Sequence, residues 1–124
     1  MVISNHRSIV IVDDEVDIVN QIKRALEAMD GRRIYTFTDP FAALEHFNST
    51  CTDHHIVISD IRMPGMNGYE FVKQVKRINP QVKIILMSSF EIDDNNLSLD
   101  VLPDVKIDTF LQKPFSLDTL TNIV

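Results

Sequence analysis

Cysteine is nearly absent. Cys51 stands alone, so no disulfide can form within the chain. A fold that depends on staples is excluded, and a reducing compartment, the cytoplasm, is the expectation. Long hydrophobic runs are absent too. None approaches the roughly 20 residues a helix needs to cross a bilayer, and Met1 to Ser8 carries no apolar leader core. No membrane role is expected. Glycine is scarce, with three in 124 residues. None follows the first apolar run, which argues against a phosphate loop there and against a flavodoxin-like cofactor protein. Basic charge is in the minority: 12 Lys and Arg face 18 Asp and Glu, a net charge of -6. That balance argues against direct nucleic-acid binding by this stretch. There is no internal repeat and no low-complexity tract.

What remains describes one globular domain over residues 1–124. Apolar residues make up 44%, enough for a core without staples. The hydrophobic pattern alternates between short β-branched runs and helical periodicity. Ser8 to Val12 reads as a buried strand and stops at Asp13-Asp14-Glu15. Val16, Val19, Ile22, Leu26 and Met29 recur at helical spacing, and Asp30-Gly31 is a stop signal. Ile34 to Phe37 is a second strand. Asp39 and Pro40 then open a helix as N-cap and first residue, with Phe41, Leu44 and Phe47 on its apolar face. Ile56 to Ser59 is a third strand that ends at Asp60. The loop Met63 to Gly68 is dense in turn formers. Phe71, Val72, Val75 and Ile78 mark another helix, ended by Asn79-Pro80. Val82 to Met87 is a fourth strand, ending at Ser88. A short helix over 96–102 is expected before Pro103. Thr109 to Leu111 is a fifth strand, and Ser116 caps a last helix.

Strands that alternate with helices pair in parallel, because parallel neighbours need crossover connections. Apolar character on both faces of the first, third and fourth strands implies a sheet covered by helices on both sides. This is a doubly wound α/β fold, whose functional crevice lies at the carboxyl ends of the strands. Asp13 and Asp14, Asp60, Ser88 and Lys113 all sit just past strand ends. They are remote in sequence and are expected to share one rim. Three neighbouring carboxylates repel one another unless a proton or a cation joins them. A hard divalent ion with oxygen ligands suits them, and Mg²⁺ commonly shares its sphere with phosphate. Ser88 can donate to an oxyanion, and Lys113 supplies a point charge. The set suits phosphoryl transfer with a carboxylate as nucleophile. Each residue alone has an ordinary reading: the acids as a helix start, Asp60 as a turn residue, Ser88 as a strand end, Lys113 as a surface lysine, Phe110 as core. The order and spacing of all of them carry the functional reading. The pair His54-His55 lacks a third ligand at metal spacing and is read as the start of the third strand.

The segments Val12 to Glu15, Ser59 to Gly68, Ile84 to Ser89 and Phe110 to Phe115 together resemble the receiver domains of response regulators (CheY-like) of two-component signalling. The resemblance covers nearly the whole chain. It implies a five-stranded parallel sheet of order 2-1-3-4-5, with a fourth helix that is short or irregular here. It implies Asp60 as phospho-acceptor, and Asp13, Asp14, Asp60 and the Arg62 backbone carbonyl around Mg²⁺, for which Mn²⁺ would substitute. It implies Ser88 and Lys113 as the groups that meet the phosphoryl oxygens, with Ser88 and Phe110 as the switch pair. It also implies a cis bond before Pro114. The donor is then a histidine kinase or phosphotransfer protein, and the recipient of the signal an effector domain or target protein. Dimerisation is left open.

Three departures from the family pattern stand out. Val105, Lys106 and Ile107 replace small residues before the fifth strand. The stretch from Ser88 to Lys113 is long and contains Pro103. The last helix ends early, at Val124. Arg62 and Phe90 are bulky where the family flanks the path of attacking water, and slow self-dephosphorylation is the expectation. One alternative is a pseudo-receiver that docks partners without being phosphorylated. Another is a phosphatase passing through an aspartyl phosphate, but that chemistry wants a second acid two residues after the nucleophile, where Arg62 stands.

Overall fold

The computed structural model describes residues 7–29, 32–49, 56–88 and 106–124. Five strands, β1 (Arg7–Val12), β2 (Arg32–Phe37), β3 (Ile56–Asp60), β4 (Lys83–Ser88) and β5 (Thr109–Gln112), form one parallel sheet in the order β2-β1-β3-β4-β5. Four helices are described: α1 (Val16–Glu27), α2 (Pro40–Ser49), α3 (Gly68–Ile78) and α4 (Leu117–Ile123). The helix expected over 96–102 lies outside the described residues, as do Cys51, His54, His55, Phe90, Pro103 and Val105.

Side chains alternate across each strand, and the sheet therefore splits the core into two layers. Val10, Val12, Val57, Ile84 and Leu86 face Ala43, Leu44 and Phe47 of α2 and Phe71, Val72 and Val75 of α3. Ile9, Ile11, Ile56, Ile58, Ile85 and Met87 face Val19, Ile22 and Leu26 of α1 and Leu120 of α4. Two helices thus cover each face, as the near-continuous apolar strands require. Met63 and Met66 enter the first layer from the loop after β3. They behave as core fillers.

Local chemistry sets the helix starts. Asp39 accepts from the Phe41 amide at 3.0 Å and caps α2. Asn67 accepts from Glu70 at 2.9 Å at the start of α3, and Ser116 from Thr119 at 3.1 Å at the start of α4. Three apolar residues placed on buried faces are in fact exposed: Val16 (56%), Phe41 (53%) and Ile78 (39%). Each sits in the first or last turn of its helix, beyond the reach of the sheet beneath. Met29 lies just past α1, where its backbone N–H bonds the Leu26 carbonyl at 3.0 Å.

Candidate functional site

The register of the sheet assembles the rim. Val12 pairs with Ser59, so Asp13 follows one step beyond, beside Asp60. Asp60 pairs with Met87, which brings Ser88 level with the residue after Asp60. Ser88 pairs with Gln112, and the Lys113 amide donates to the Ser88 carbonyl at 2.6 Å. Four remote segments therefore end side by side at the carboxyl edge.

Asp13, Asp14 and Asp60 each offer a carboxylate oxygen within 4.8 Å of the others. Asp13 is fully buried and Asp60 is 6% exposed, whereas Asp14 is exposed. Lys113 reaches across from β5. Its Nζ lies 2.7 Å from Asp13 Oδ2, 3.7 Å from Asp60 Oδ1 and 3.8 Å from Glu15 Oε1. The other Asp13 oxygen accepts from the Glu15 amide at 2.9 Å, and Asp60 Oδ1 accepts from the Ile61 amide at 3.0 Å. The Lys113–Pro114 bond is cis.

Among the described residues one ammonium faces four carboxylates in this space, and the excess negative charge shows in the protonation equilibria. Burial pushes the Asp60 carboxyl up to about 6. The Asp13 and Asp14 charges push the same way, against Lys113 and the Ile61 amide. Burial also raises Asp13, although Lys113 and the Glu15 amide oppose it. For Lys113, burial favours the neutral amine, but its bond to Asp13 and the surrounding acids outweigh that and raise it. The lysine is outnumbered and stays charged.

The donor set fits a hard divalent cation. It is all oxygen, without histidine or cysteine, as Mg²⁺ prefers. Opposite ligands of an octahedral Mg²⁺ lie about 4.1 Å apart, close to the 4.8 Å within which the three oxygens already sit. Arg62, expected to offer its backbone carbonyl, is exposed in the loop after β3.

That loop is closed at its neck by the Gly68 amide, which donates to the Ile61 carbonyl at 2.7 Å. A Cβ on Gly68 would overlap the Asp60 carbonyl oxygen and lie 2.8 Å from Ile61 Cα. Only glycine lets α3 start so near the backbone of Asp60. Ser88 is buried and Phe110 half-buried, the latter against the layer that contains Leu86.

Sequence reasoning brought Asp13, Asp14, Asp60, Ser88 and Lys113 to one rim, and they are there. It gave no role to Glu15 or Gly68. Glu15 continues the acidic run after β1, which was the available signal. Gly68 closes the turn-rich loop, but nothing local announces its contact with Asp60.

Residues 9–124 match the family described as "Response regulator receiver domain". The chain is 34% identical over 114 residues to the DNA-binding transcriptional regulator NtrC of Escherichia coli K12, a match covering 92% of this chain and 23% of that protein. It is 30% identical over 122 residues to the sensor kinase CckA of Brucella abortus, covering 98% of this chain and 12% of that protein. Among solved structures, it is similar to the chemotaxis response regulator CheY4 of Vibrio cholerae, with a TM-score of 0.81, 26% identity and 96% of each chain covered. A response regulator receiver domain protein from Clostridium thermocellum gives a TM-score of 0.79 at 28% identity, covering 94% of this chain and 89% of that one. The chain thus spans under a quarter of the length of these curated relatives. With its sheet order, its acidic rim and its match over residues 9–124, the chain belongs to the response regulator receiver domain family.

Proposed function

We propose that Asp60 accepts a phosphoryl group from a histidine kinase or phosphotransfer protein, in the presence of Mg²⁺, and that this switches the domain's surface. The observation that carries the reading is the meeting of Asp13, Asp14 and Asp60 within 4.8 Å, with Lys113 held 3.7 Å from Asp60. Asp13, Asp14, Asp60 and the Arg62 carbonyl would hold the ion. When bound, Mg²⁺ neutralises the carboxylates and the charge on the phosphoryl oxygens.

The residues of the chain do the rest. An Asp60 carboxylate oxygen attacks phosphorus as the bond to the donor nitrogen breaks; that nitrogen keeps the electron pair, and the donor imidazole, protonated on its other nitrogen, leaves neutral. The Ile61 amide holds Asp60 Oδ1, so the attacking group is oriented before the donor arrives. Lys113 is fixed by Asp13 and offers its charge to a phosphoryl oxygen. Ser88 donates to another. The phosphoryl group brings about two negative charges and three acceptor oxygens. Ser88 and Lys113 interact with them only in that state, which biases a two-state equilibrium. Movement of Ser88 draws in Phe110, and the face around β5 changes for an effector domain or target protein.

Radiolabelled acetyl phosphate with Mg²⁺ tests this. Label that disappears with EDTA and with Asp60→Asn is expected. Absence of label, or label that survives Asp60→Asn, favours a docking module that is not phosphorylated.

A further inference from the structure

Phe41 is placed against expectation. It is an aromatic residue in the first turn of α2, and it is 53% exposed. The core does not use it, because the buried face of α2 is made by Pro40, Ala43, Leu44 and Phe47. Its ring edge lies instead over Gly65 in the loop after β3. A Cβ built on Gly65 would meet Phe41 Cε2 at 2.9 Å, Cζ at 3.7 Å and Cδ2 at 3.9 Å. Gly65 has φ +84°, a conformation that side chains rarely adopt. The ring thus fills the space that a side chain at position 65 would occupy.

The loop is anchored elsewhere from below and at its neck. Met63 and Met66 are buried in the first core layer, and the Gly68 amide closes the neck on Ile61. Arg62, Pro64, Gly65 and Asn67 form the exposed crest. Phe41 touches that crest from a separate helix, three residues from Arg62.

We propose that Phe41 is a positioning residue for the cation site, acting through Gly65 to hold the loop whose Arg62 carbonyl completes the metal's ligands. This rests on the Mg²⁺ reading above. The ring limits outward excursions of the crest, so the carbonyl is presented with less ordering to be done on binding. Groups that orient metal ligands from outside typically change affinity by about 10–100-fold. One contact on a loop with two other anchors is expected to give less than that, about 3–10-fold.

The test is calorimetric titration of the whole chain with MgCl₂, paired with urea unfolding in EDTA. Phe41→Ala is expected to weaken Mg²⁺ binding several-fold while barely moving unfolding in EDTA, because the ring is half in solvent. Phe41→Leu, which keeps the position apolar without a planar edge, should behave similarly and serves if Phe41→Ala folds poorly. Phe41→Tyr should restore wild-type affinity. Unchanged affinity in Phe41→Ala and Phe41→Leu overturns the proposal, as does a loss of stability in EDTA without a loss of affinity. A wild-type chain that binds no Mg²⁺ overturns the metal reading itself. Asp14→Ala, which should lose binding altogether, separates that failure from failure of the Phe41 proposal.

Discussion

Replacing Asp60 with asparagine should make the metal-free protein more stable, although it removes the carboxylate proposed above as phospho-acceptor. Asparagine is nearly isosteric and keeps an oxygen for the Ile61 amide, which now donates to Asp60 Oδ1 at 3.0 Å. What disappears is a charge that burial and two neighbouring acids disfavour. The Asp60 carboxyl rises from 3.8 to about 6. At 1.36 kcal/mol per unit, two units correspond to about 3 kcal/mol. The side chain is only 9% exposed, so solvent screening reduces this little. The sign follows from proton binding. Between about pH 4 and 6 the folded state holds a proton that the unfolded state has released, so wild-type stability falls as pH rises through that window. It then stays low above it. Asp60→Asn lacks the loss. The two proteins should be close in stability near pH 4 and differ by about 2–3 kcal/mol at pH 7.5, with the variant ahead. His46, which burial lowers, is common to both and cancels in the difference. Urea unfolding in EDTA, followed by far-ultraviolet circular dichroism, measures this. With a slope of about 1–3 kcal/mol/M, the midpoint gap at pH 7.5 is roughly 1–3 M. Mg²⁺ at 100 times its dissociation constant should return about 2.7 kcal/mol to the wild type and much less to the variant. A difference that does not change with pH, or a variant less stable than wild type at pH 7.5, would refute the electrostatic argument.

Lys113→Ala should destabilise the fold by about 3 kcal/mol at pH 7.5, since removing one member of a buried pair strands the other; here the stranded group is Asp13, now 2.7 Å from the ammonium. The same change should tighten Mg²⁺ binding in a calorimetric titration, because a competing cation has gone; weaker binding would contradict that competition. Gly68→Ala drives a methyl group into the Asp60 carbonyl and toward Ile61 Cα. A loss of at least about 2 kcal/mol is expected, together with loss of acetyl phosphate labelling at temperatures where the variant is still folded. Wild-type melting behaviour in Gly68→Ala would show that α3 can shift away at no cost.

The parallel sheet was legible because burial on both faces writes itself into the strands. Ile9 to Val12, Ile56 to Ile58 and Ile84 to Met87 are apolar at every position, and the structure sends alternate residues to opposite layers. Once such strands run parallel, residues just past their ends must converge, which is why the positions of Asp13, Asp60, Ser88 and Lys113 in the sequence already imply one rim. Helical periodicity told which face turns inward but not how far the sheet extends beneath it. Val16, Phe41 and Ile78 follow the period and still protrude, because each stands at a helix end. Contacts through backbone were invisible as well. The fit of Gly68 against Asp60 depends on where the loop returns, and that depends on Met63 and Met66 finding the core.

The partner of Lys113 also escaped the sequence, and it bears on how the site is poised. A lysine near three acids can bond any of them, and order along the chain does not choose. The structure gives Asp13 the short contact and leaves Asp60 a full ångström farther away. Both carboxylates are buried and each accepts one backbone amide, Asp13 from Glu15 and Asp60 from Ile61, so the ammonium position is what sets them apart. The consequence is an Asp60 carboxylate that its neighbours leave underneutralised and a lysine anchored within reach of it. A divalent ion held by Asp13 would take up part of its charge, which would leave the Lys113 ammonium freer to approach oxygens added at Asp60 under the proposed function. Under the proposed function, stability of the acidic rim without a cation and readiness for an anion at Asp60 pull in opposite directions, and both trace to one buried aspartate just past β1.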